Sequence, residues 1–410
     1  MSILRRVHPS IRLRLLMGFL GNLIYATVGS SMTIYYSQYI GAGITGFLLI
    51  ISSVMVFFVG LYAGHLTDQK GRRPVMLVSS MITFIGGMIA TLSNSPWFFA
   101  PWLTYAGFLI LNFGFGFFDV ASSAMIIDLT DESNRKDVYS IQYWIYNLAI
   151  LFGSALSGIF FRDYLFELLL AISLEELATF IVVLFKIPES FDSEKSPARH
   201  ENILKSYRTV SKDITFMIYC FASIFGSMIF LQIDYYLPVH LSETFKTIEV
   251  FGLEIYGQRM LSIILMVNTI LIVAGMTFTN WLTRKWSRSR GIVIGLSLEC
   301  IGFIIAFIGV TFNVEILAAC VFTIGEMIAV PFIQAFRADL MAGNRVGTYT
   351  GIFNVTKTLG AVLCGLMLSG SAFYGGAGII FLMFVIMILS ITPLLVSVRQ
   401  FENNQVENKL

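Results

Sequence analysis

The chain has 410 residues, of which 56% are hydrophobic and only 13% are charged, and its formal net charge is +2. Soluble domains carry about a quarter charged residues, so this composition excludes a soluble domain and indicates a protein with many membrane spans. The small net charge gives no indication of a nucleic-acid partner, because the placement of basic residues matters more here than their sum.

Twelve apolar stretches are long enough to cross a membrane. A helix rises 1.5 Å per residue, so about 20 apolar residues cross a hydrocarbon core of roughly 30 Å. We expect every span to be helical, because a helix satisfies its backbone hydrogen bonds within its own segment. The predicted cores are 13–36, 43–65, 74–93, 101–128, 138–160, 165–186, 216–238, 260–282, 291–311, 314–336, 347–370 and 375–398.

The turn between the second and third spans carries the most specific motif, Gly64-His-Leu66-Thr-Asp68-Gln-Lys-Gly71-Arg72-Arg73-Pro74. Asp68 ends one span, Arg72 opens the next, and Asp128 ends the fourth span. Two carboxylates can share one guanidinium, so these residues predict a charged gating cluster. The alternative is a solvated loop in which Gly71 only makes the turn.

Basic residues predict the orientation of the chain. All but four of the 27 Lys and Arg residues lie in the tails or in the turns after even-numbered spans; the exceptions are Arg162, Lys246, Arg259 and Lys357. Since cytoplasmic loops are enriched in Lys and Arg, both termini are expected in the cytoplasm. The polar segment 188–213 separates six spans from six, which predicts an N-terminal bundle over 1–187, a cytoplasmic linker over 188–213 and a C-terminal bundle over 214–410.

The two halves contain a repeated motif. Asp128-Leu with Asn134-Arg135-x-x-x-Tyr139-Ser140 recurs about 210 residues later as Asp339-Leu with Asn344-Arg345-x-x-x-Tyr349-Thr350. Both copies follow the fourth span of their half, so the halves are parallel repeats. This favours two bundles that alternate about a central site.

Acidic residues within apolar spans indicate an ion path, because a charge at the centre of a membrane helix costs at least about 2.5 kcal/mol. Asp119 lies in the fourth span, Asp234 near the outer end of the seventh and Glu326 midway along the tenth. An apolar surrounding lets a carboxyl group hold a proton until a cation or water arrives, so proton and cation compete for one site. The alternative is a structural carboxylate locked to a partner, for which Lys357 is a candidate.

For three further acidic residues, the sequence favours a structural role. Glu175 and Glu176 lie at the centre of the sixth span and Glu299 in the inner half of the ninth. Adjacent helical residues point about 100° apart, so Glu175 and Glu176 cannot both face one cavity.

The turn between the second and third spans resembles that of the major facilitator superfamily, whose loop between helices 2 and 3 reads Gly-x-Leu-x-Asp-x-x-Gly-Arg-Arg/Lys. Every fixed position of this pattern is matched, by Gly64, Leu66, Asp68, Gly71, Arg72 and Arg73. Within the superfamily, the chain is similar to the LmrP-type multidrug/proton antiporters, with the landmarks Ser31–Tyr36, Ala124–Asp128, Leu237–Leu241, Glu254–Arg259 and Gly325-Glu326. The resemblance implies a fold of two six-helix bundles and a loop cluster that holds the outward-facing state until a carboxylate is protonated. It also implies that Glu326 and Asp234 couple protons and bind cationic drugs.

The chain also departs from these relatives. Gln142, before Tyr143, replaces their acid early in helix 5, and an apolar residue near Met387 replaces their acid in helix 12. Asp119 is a possible substitute. Asn22 and Tyr25 on the first span, with Gln142 and Tyr143 on the fifth, are weak candidates for the substrate cavity.

Three classes of function follow. The leading hypothesis is proton-coupled export of lipophilic, often cationic compounds by a monomeric, multi-pass protein of a bacterial plasma membrane. The second is transport of a specific endogenous solute or lipid, with drug export incidental or absent. An enzyme is not expected: the four His residues lack metal-ligand spacing, the four Cys residues lie in apolar spans, and the chain has no phosphate-binding Gly-x-x-x-x-Gly-Lys-Ser/Thr run. We therefore expect no metal and no cofactor, only a proton gradient, and no nucleic-acid partner.

Overall fold

The computed structural model describes residues 9–130, 135–191, 210–250, 252–341 and 346–407. The side chains of several helical residues within these ranges, including Asp68 and Tyr143, lie outside the description.

The first half of the described chain consists of helices and one short hairpin. The helices are α1 (Pro9–Ala26), α2 (Ser31–Tyr39), α3 (Ala42–Lys70), α4 (Arg72–Leu92), α5 (Pro101–Asp128), α6 (Arg135–Phe160) and α7 (Leu165–Lys186). The hairpin between α4 and α5 pairs β1 (Asn94–Ser95) with β2 (Phe98–Phe99). Both strands lie in the turn between two predicted spans.

The second half also consists of helices and one short hairpin, which here follows the first span of the half. Its helices are α8 (Ile214–Phe230), α9 (Tyr236–Thr244), α10 (Gly257–Thr283), α11 (Arg288–Ile308), α12 (Phe312–Leu340) and α13 (Val346–Glu407). The second hairpin pairs β3 (Ile248–Val250) with β4 (Leu253–Ile255). Within α13 two helices meet at Gly375, which adopts a φ of 59° that L-residues with a side chain disfavour.

The described helices agree with the predicted all-helical membrane fold. With α1 and α2 taken as one span, and α8 and α9 as another, the described part of the chain has ten spans that are long and apolar enough to cross a membrane. One of these, Ile352–Asn404, contains the two helices that meet at Gly375, and the shorter apolar helix Trp144–Phe160 lies within α6. Counting both brings the described part of the chain to the predicted twelve, and the predicted fold class is confirmed.

Two spans that were predicted as unbroken helices are interrupted. The first divides into α1 and α2 around Gly29, where the Thr27 hydroxyl donates to the carbonyl of Ile24 at 2.6 Å. Such a bond competes with the helical backbone pattern, and glycine adds conformational freedom. The seventh divides into α8 and α9 before Pro238.

The chain forms two compact units. One consists of Met1–Gly41 with Ile51–Pro197, and the other of Ala42–Ile50 with Ala198–Leu410. The domain boundaries at 187/188 and 213/214 stay a prediction.

In the second unit α11 packs closely against α12. A Cβ atom on Gly325 would overlap the backbone nitrogen of Glu299, so only a glycine lets the two backbones approach this closely. This approach places Glu299 of α11 beside Glu326 of α12.

Candidate functional site

Gly71 separates α3 from α4. Its φ of 92° ends one helix and starts the next without an intervening loop. A Cβ atom at this position would lie 2.5 Å from Oε2 of Glu189, so the space beside Gly71 is already filled. The positive φ is what requires a glycine here, since residues with a side chain rarely adopt it, whereas the flexible Glu189 side chain could move aside.

Glu189 caps the N-terminus of α4. Its Oε1 accepts a hydrogen bond from the Arg72 N–H at 3.0 Å, and its Oε2 accepts one from the Arg73 N–H at 3.1 Å. The first N–H groups of a helix have no partner within the helix, and they carry its positive dipole end, so a carboxylate stabilises them. Oε1 also accepts from the N–H groups of Ser190 and Phe191, both at 2.9 Å, which fixes the chain after α7 against α4.

The buried Arg72 side chain links three segments. Its Nε donates to Asp128 Oδ2 at 2.8 Å, and its Nη1 donates to the carbonyl of Thr67 at 3.1 Å. The guanidinium carbon lies 4.5 Å from the ring centre of Phe191, and the Ser190 hydroxyl donates to Asp128 Oδ2 at 3.1 Å. The structure thus brings Arg72 and Asp128 together, which the sequence predicted.

The other residues of the loop motif lie outside the Arg72–Asp128 pair. Arg73 donates from Nη2 to the carbonyl of Leu184 at 2.7 Å, at the C-terminal end of α7, where helix carbonyls lack partners. Gly64 lies in α3, and a Cβ atom there would meet no described atom within 4 Å. The Asp68 side chain, the second predicted carboxylate of the cluster, lies outside the described residues.

A second ion pair occupies the corresponding place in the second unit. Arg288, at the start of α11, donates from Nη2 to Oδ2 of Asp339 near the end of α12. Its guanidinium lies 4.8 Å from the ring centre of Phe336. About half of the Asp339 side chain is exposed, compared with a quarter for Asp128, so this is the less enclosed pair.

Glu326 lies halfway along α12 with a neutral partner. Its Oε2 accepts a hydrogen bond from Nδ2 of Asn268 on α10 at 2.8 Å, and the same amide group donates to the Thr323 hydroxyl at 3.1 Å. Among the described residues, the charged neighbour of Lys357, the alternative partner, is Arg337 and not an acid. Glu326 is therefore held by an amide and not locked to a lysine.

Glu299 provides a second carboxyl group close to Glu326. It is 1% exposed, its Oε2 has no hydrogen-bond partner among the described atoms, and it interacts electrostatically with Glu326. The sequence favoured a structural role for Glu299. That role stays a prediction, but its place next to Glu326 depends on the α11–α12 packing, which no sequence motif indicated.

Asp234 lies where the seventh span is interrupted. A 3-10 turn covers Leu231–Ile233, and α9 begins at Tyr236. Pro238 has no N–H to bond the carbonyl of residue 234, so α8 cannot continue through this point. The Asp234 N–H instead donates to the carbonyl of Leu231 at 3.1 Å, which sets the acid at an irregular stretch of backbone.

The weaker candidates of the first unit have local partners. The Tyr25 hydroxyl donates to Oδ1 of Asn112 at 3.2 Å, which links α1 to α5, while Asn22 donates back to the carbonyl of Gly18 at 2.6 Å. Gln142 has a buried Oε1 with no hydrogen-bond partner among the described atoms. The side chain of Tyr143 lies outside the described residues. Asp119 Oδ1 lies 3.6 Å from Arg14 Nη2.

Comparisons with known proteins identify the family of the chain. The family model described as Major Facilitator Superfamily matches residues 14–365. The chain belongs to the major facilitator superfamily. Members of the superfamily are transport proteins rather than enzymes, which confirms that this chain is not an enzyme.

Two relatives illustrate the range of this superfamily. The chain is 28% identical over 389 residues to a Na(+), Li(+), K(+)/H(+) antiporter of Planococcus maritimus, covering 89% of this chain and 90% of the relative. It is 24% identical over 354 residues to the multidrug resistance protein MdtH of Blochmanniella pennsylvanica, covering 85% and 79%. Multi-span membrane location and a small-molecule substrate follow for this chain as well.

Among solved structures, a POT family transporter in complex with 5-aminolevulinic acid superimposes with a TM-score of 0.75. The superposition covers 95% of this chain and 96% of the transporter at 14% sequence identity. At this identity the likeness shows the major facilitator fold alone.

The sequence did not point to three residues of this major facilitator protein that contact candidate site residues. Glu189 lay in the predicted linker, Arg14 was counted with the N-terminal tail, and Asn268 was not singled out. An amide in the middle of a 27-residue apolar helix is a usable signal, because its polar group needs a partner in lipid. The partner of Glu189 is not readable without the fold.

Proposed function

We propose that this protein exchanges protons for lipophilic, often cationic compounds and exports those compounds by alternating access. The carrying observation is Glu326: a carboxyl group halfway along a membrane helix whose hydrogen-bond partner is the neutral amide of Asn268. A basic partner would cancel its charge permanently. An amide leaves the charge available to a proton or to a cation from the substrate side.

Proton and substrate would compete at Glu326. Binding of a cation requires the ionised carboxylate, and protonation removes that charge and releases the cation. Asp234, at the interrupted seventh span, is proposed as a second acid of the same pathway, since backbone that leaves the helical pattern is tolerated at membrane depth where it lines a cavity. No cofactor is needed for this cycle, because the proton gradient supplies the free energy.

The cluster of Arg72 and Asp128 would report the cycle to the cytoplasmic gate. Protonation of Asp128 would remove one of the two charges of the ion pair and leave the buried guanidinium with the Thr67 carbonyl, Phe191 and its remaining neighbours. The bistable element would then be the junction between α3 and α4 at Gly71. We place the protein as a monomer in a bacterial plasma membrane.

A second candidate cargo is favoured by one observation. The relative from Planococcus maritimus is named an antiporter of Na(+), Li(+) and K(+) with H(+), and it is similar over nearly the whole length of both chains. Alkali-metal ions use the same carboxylate chemistry as a cationic drug, since both need an ionised acid.

The test uses everted vesicles from cells that express the full chain, with a pH-sensitive dye inside. Addition of a fluorescent lipophilic cation is expected to collapse the pH gradient in the wild type and not in Glu326→Gln. Glu249→Gln, an exposed glutamate of the β3–β4 hairpin, is the matched control and should respond as the wild type does. Lipophilic-cation exchange that persists in Glu326→Gln would remove Glu326 from the mechanism. If the wild type responds to NaCl alone, the substrate exchanged for protons is an alkali-metal ion and not a drug.

A further inference from the structure

Three charged residues from three helices of the first unit lie close together within membrane spans. They are Arg14 on α1, Asp119 on α5 and Glu175 on α7. Arg14 Nη2 lies 3.6 Å from Asp119 Oδ1, and the guanidinium interacts electrostatically with both acids. Among the described residues a further acid, Glu176, has Glu175 as its charged neighbour.

The sequence of α1 makes room for this cluster. A Cβ atom on Gly18 would lie 2.7 Å from Arg14 Nη1, and one on Gly21 would lie 3.4 Å from Glu175 Oε2. The guanidinium also lies 5.7 Å from the ring centre of Phe118. The guanidinium of Arg14 thus occupies the space beside Gly18, and Glu175 lies at ordinary contact distance from Gly21.

The guanidinium of Arg14 has hydrogen-bonding capacity that the described residues do not satisfy. Arg14 is 8% exposed, and its Nε is buried without a hydrogen-bond partner among the described atoms. Its separation of 3.6 Å from Asp119 exceeds hydrogen-bond distance. The Arg72–Asp128 pair of the same unit is closer, with Nε and Oδ2 2.8 Å apart. The cluster therefore holds its arginine loosely, and Asp119, whose side chain is 56% exposed, is accessible.

The charges do not balance within the cluster. One guanidinium faces two carboxylates, so the ionised cluster of Arg14, Asp119 and Glu175 has one surplus negative charge. Surplus charge within a membrane span is unfavourable, and one bound monovalent cation or one proton removes it. A divalent cation would instead leave a surplus positive charge.

We propose that Arg14, Asp119 and Glu175 form a cation-exchange site that binds one proton or one alkali-metal ion, with Arg14 as the built-in charge that excludes divalent ions. The proposal rests on the proposed proton-coupled antiport. It adds the class of ion that a separate site in the N-terminal half would take, and it makes Arg14 the determinant of charge selectivity.

Direct binding is the first test. Radioactive sodium is bound to the purified full-length protein in detergent, at neutral pH and in competition with added protons. Glu175→Gln is expected to weaken sodium binding about tenfold or more, while Glu176→Gln, the adjacent acid that points about 100° away, changes it less than about twofold. Equal effects of the two substitutions, or a wild type without proton-sensitive sodium binding, would overturn the proposal.

Charge selectivity is the second test. Arg14→Gln is expected to let calcium displace bound sodium or proton at concentrations about tenfold lower than in the wild type, whereas Arg14→Lys retains the wild-type preference for monovalent ions. Unchanged selectivity in a folded Arg14→Gln protein would refute the role of Arg14. Vesicle exchange driven by a lipophilic cation is measured in parallel. If this vesicle exchange is absent while sodium binding is intact, the proposed drug export is refuted and the proposed cation site is retained.

Discussion

Replacement of Gly325 by alanine tests the close packing that places Glu299 beside Glu326. An added Cβ atom would overlap the backbone of α11, and backbone cannot rotate away as a flexible side chain can. Overpacking of this kind costs about 1–3 kcal/mol. In an unstrained helix the same substitution would stabilise the protein by roughly 0.5–1 kcal/mol, so the sign of the effect is itself the test.

The native cysteines provide the assay. Cys220, Cys300 and Cys364 are buried in the second unit, and a thiol-reactive fluorescent dye therefore reports its thermal unfolding. For a domain of 150–250 residues, each kcal/mol shifts Tm by about 2–4 °C. We expect Gly325→Ala to lower Tm by roughly 2–12 °C.

Gly376→Ala is the matched control. Gly376 lies in a helix of the same unit, and a Cβ atom there would meet nothing within 4 Å among the described atoms. This variant should unfold at or slightly above the wild-type Tm. A Gly325→Ala protein that is as stable as Gly376→Ala would show that α11 and α12 do not approach as described.

Three further predictions concern single contacts. A double-mutant cycle with Arg72→Gln and Asp128→Asn, followed by denaturant unfolding, is expected to give a coupling free energy of about 1.5–3 kcal/mol, because the bond is charged and largely buried; a value near zero would mean that the pair is not formed. Asn268→Leu removes the hydrogen bond to Glu326, and vesicle exchange should slow about tenfold or more, whereas Asn268→Gln should recover part of the rate. Tyr25→Phe loses one hydrogen bond between α1 and α5 and should cost about 1 kcal/mol of stability while exchange is retained; loss of exchange at normal stability would instead assign Tyr25 to substrate binding.

Sequence patterns predicted the features that depend on one segment or on one motif. Apolar length gave the spans, and the polar turn with Asp128 gave the pair of Arg72 and Asp128. The break at Asp234 was readable in principle from Pro238, because the missing N–H acts four residues upstream. The expectation of an unbroken seventh helix rested on its apolar length and left out the backbone hydrogen bond that Pro238 cannot make.

Contacts between distant segments that no motif marks were not predictable in this way. Glu189 lies 117 residues from Arg72 along the chain, within a polar stretch where one more glutamate carries no signal. Arg14 lies near a basic N-terminus, and its neighbours Asp119 and Glu175 are chosen by helix packing. Their partners follow only from the three-dimensional arrangement of α1, α5 and α7.

The bonds of Glu189 determine where this chain can be divided. Two halves expressed as separate polypeptides must each contain everything that completes their own helix ends. Because Glu189 caps α4 and Ser190 donates to Asp128, a cut directly after α7 would remove groups that the first polypeptide needs. A cut placed after Phe191 keeps them, so the position of a split, a protease site or an inserted tag should be chosen from these hydrogen bonds rather than from the end of the apolar stretch.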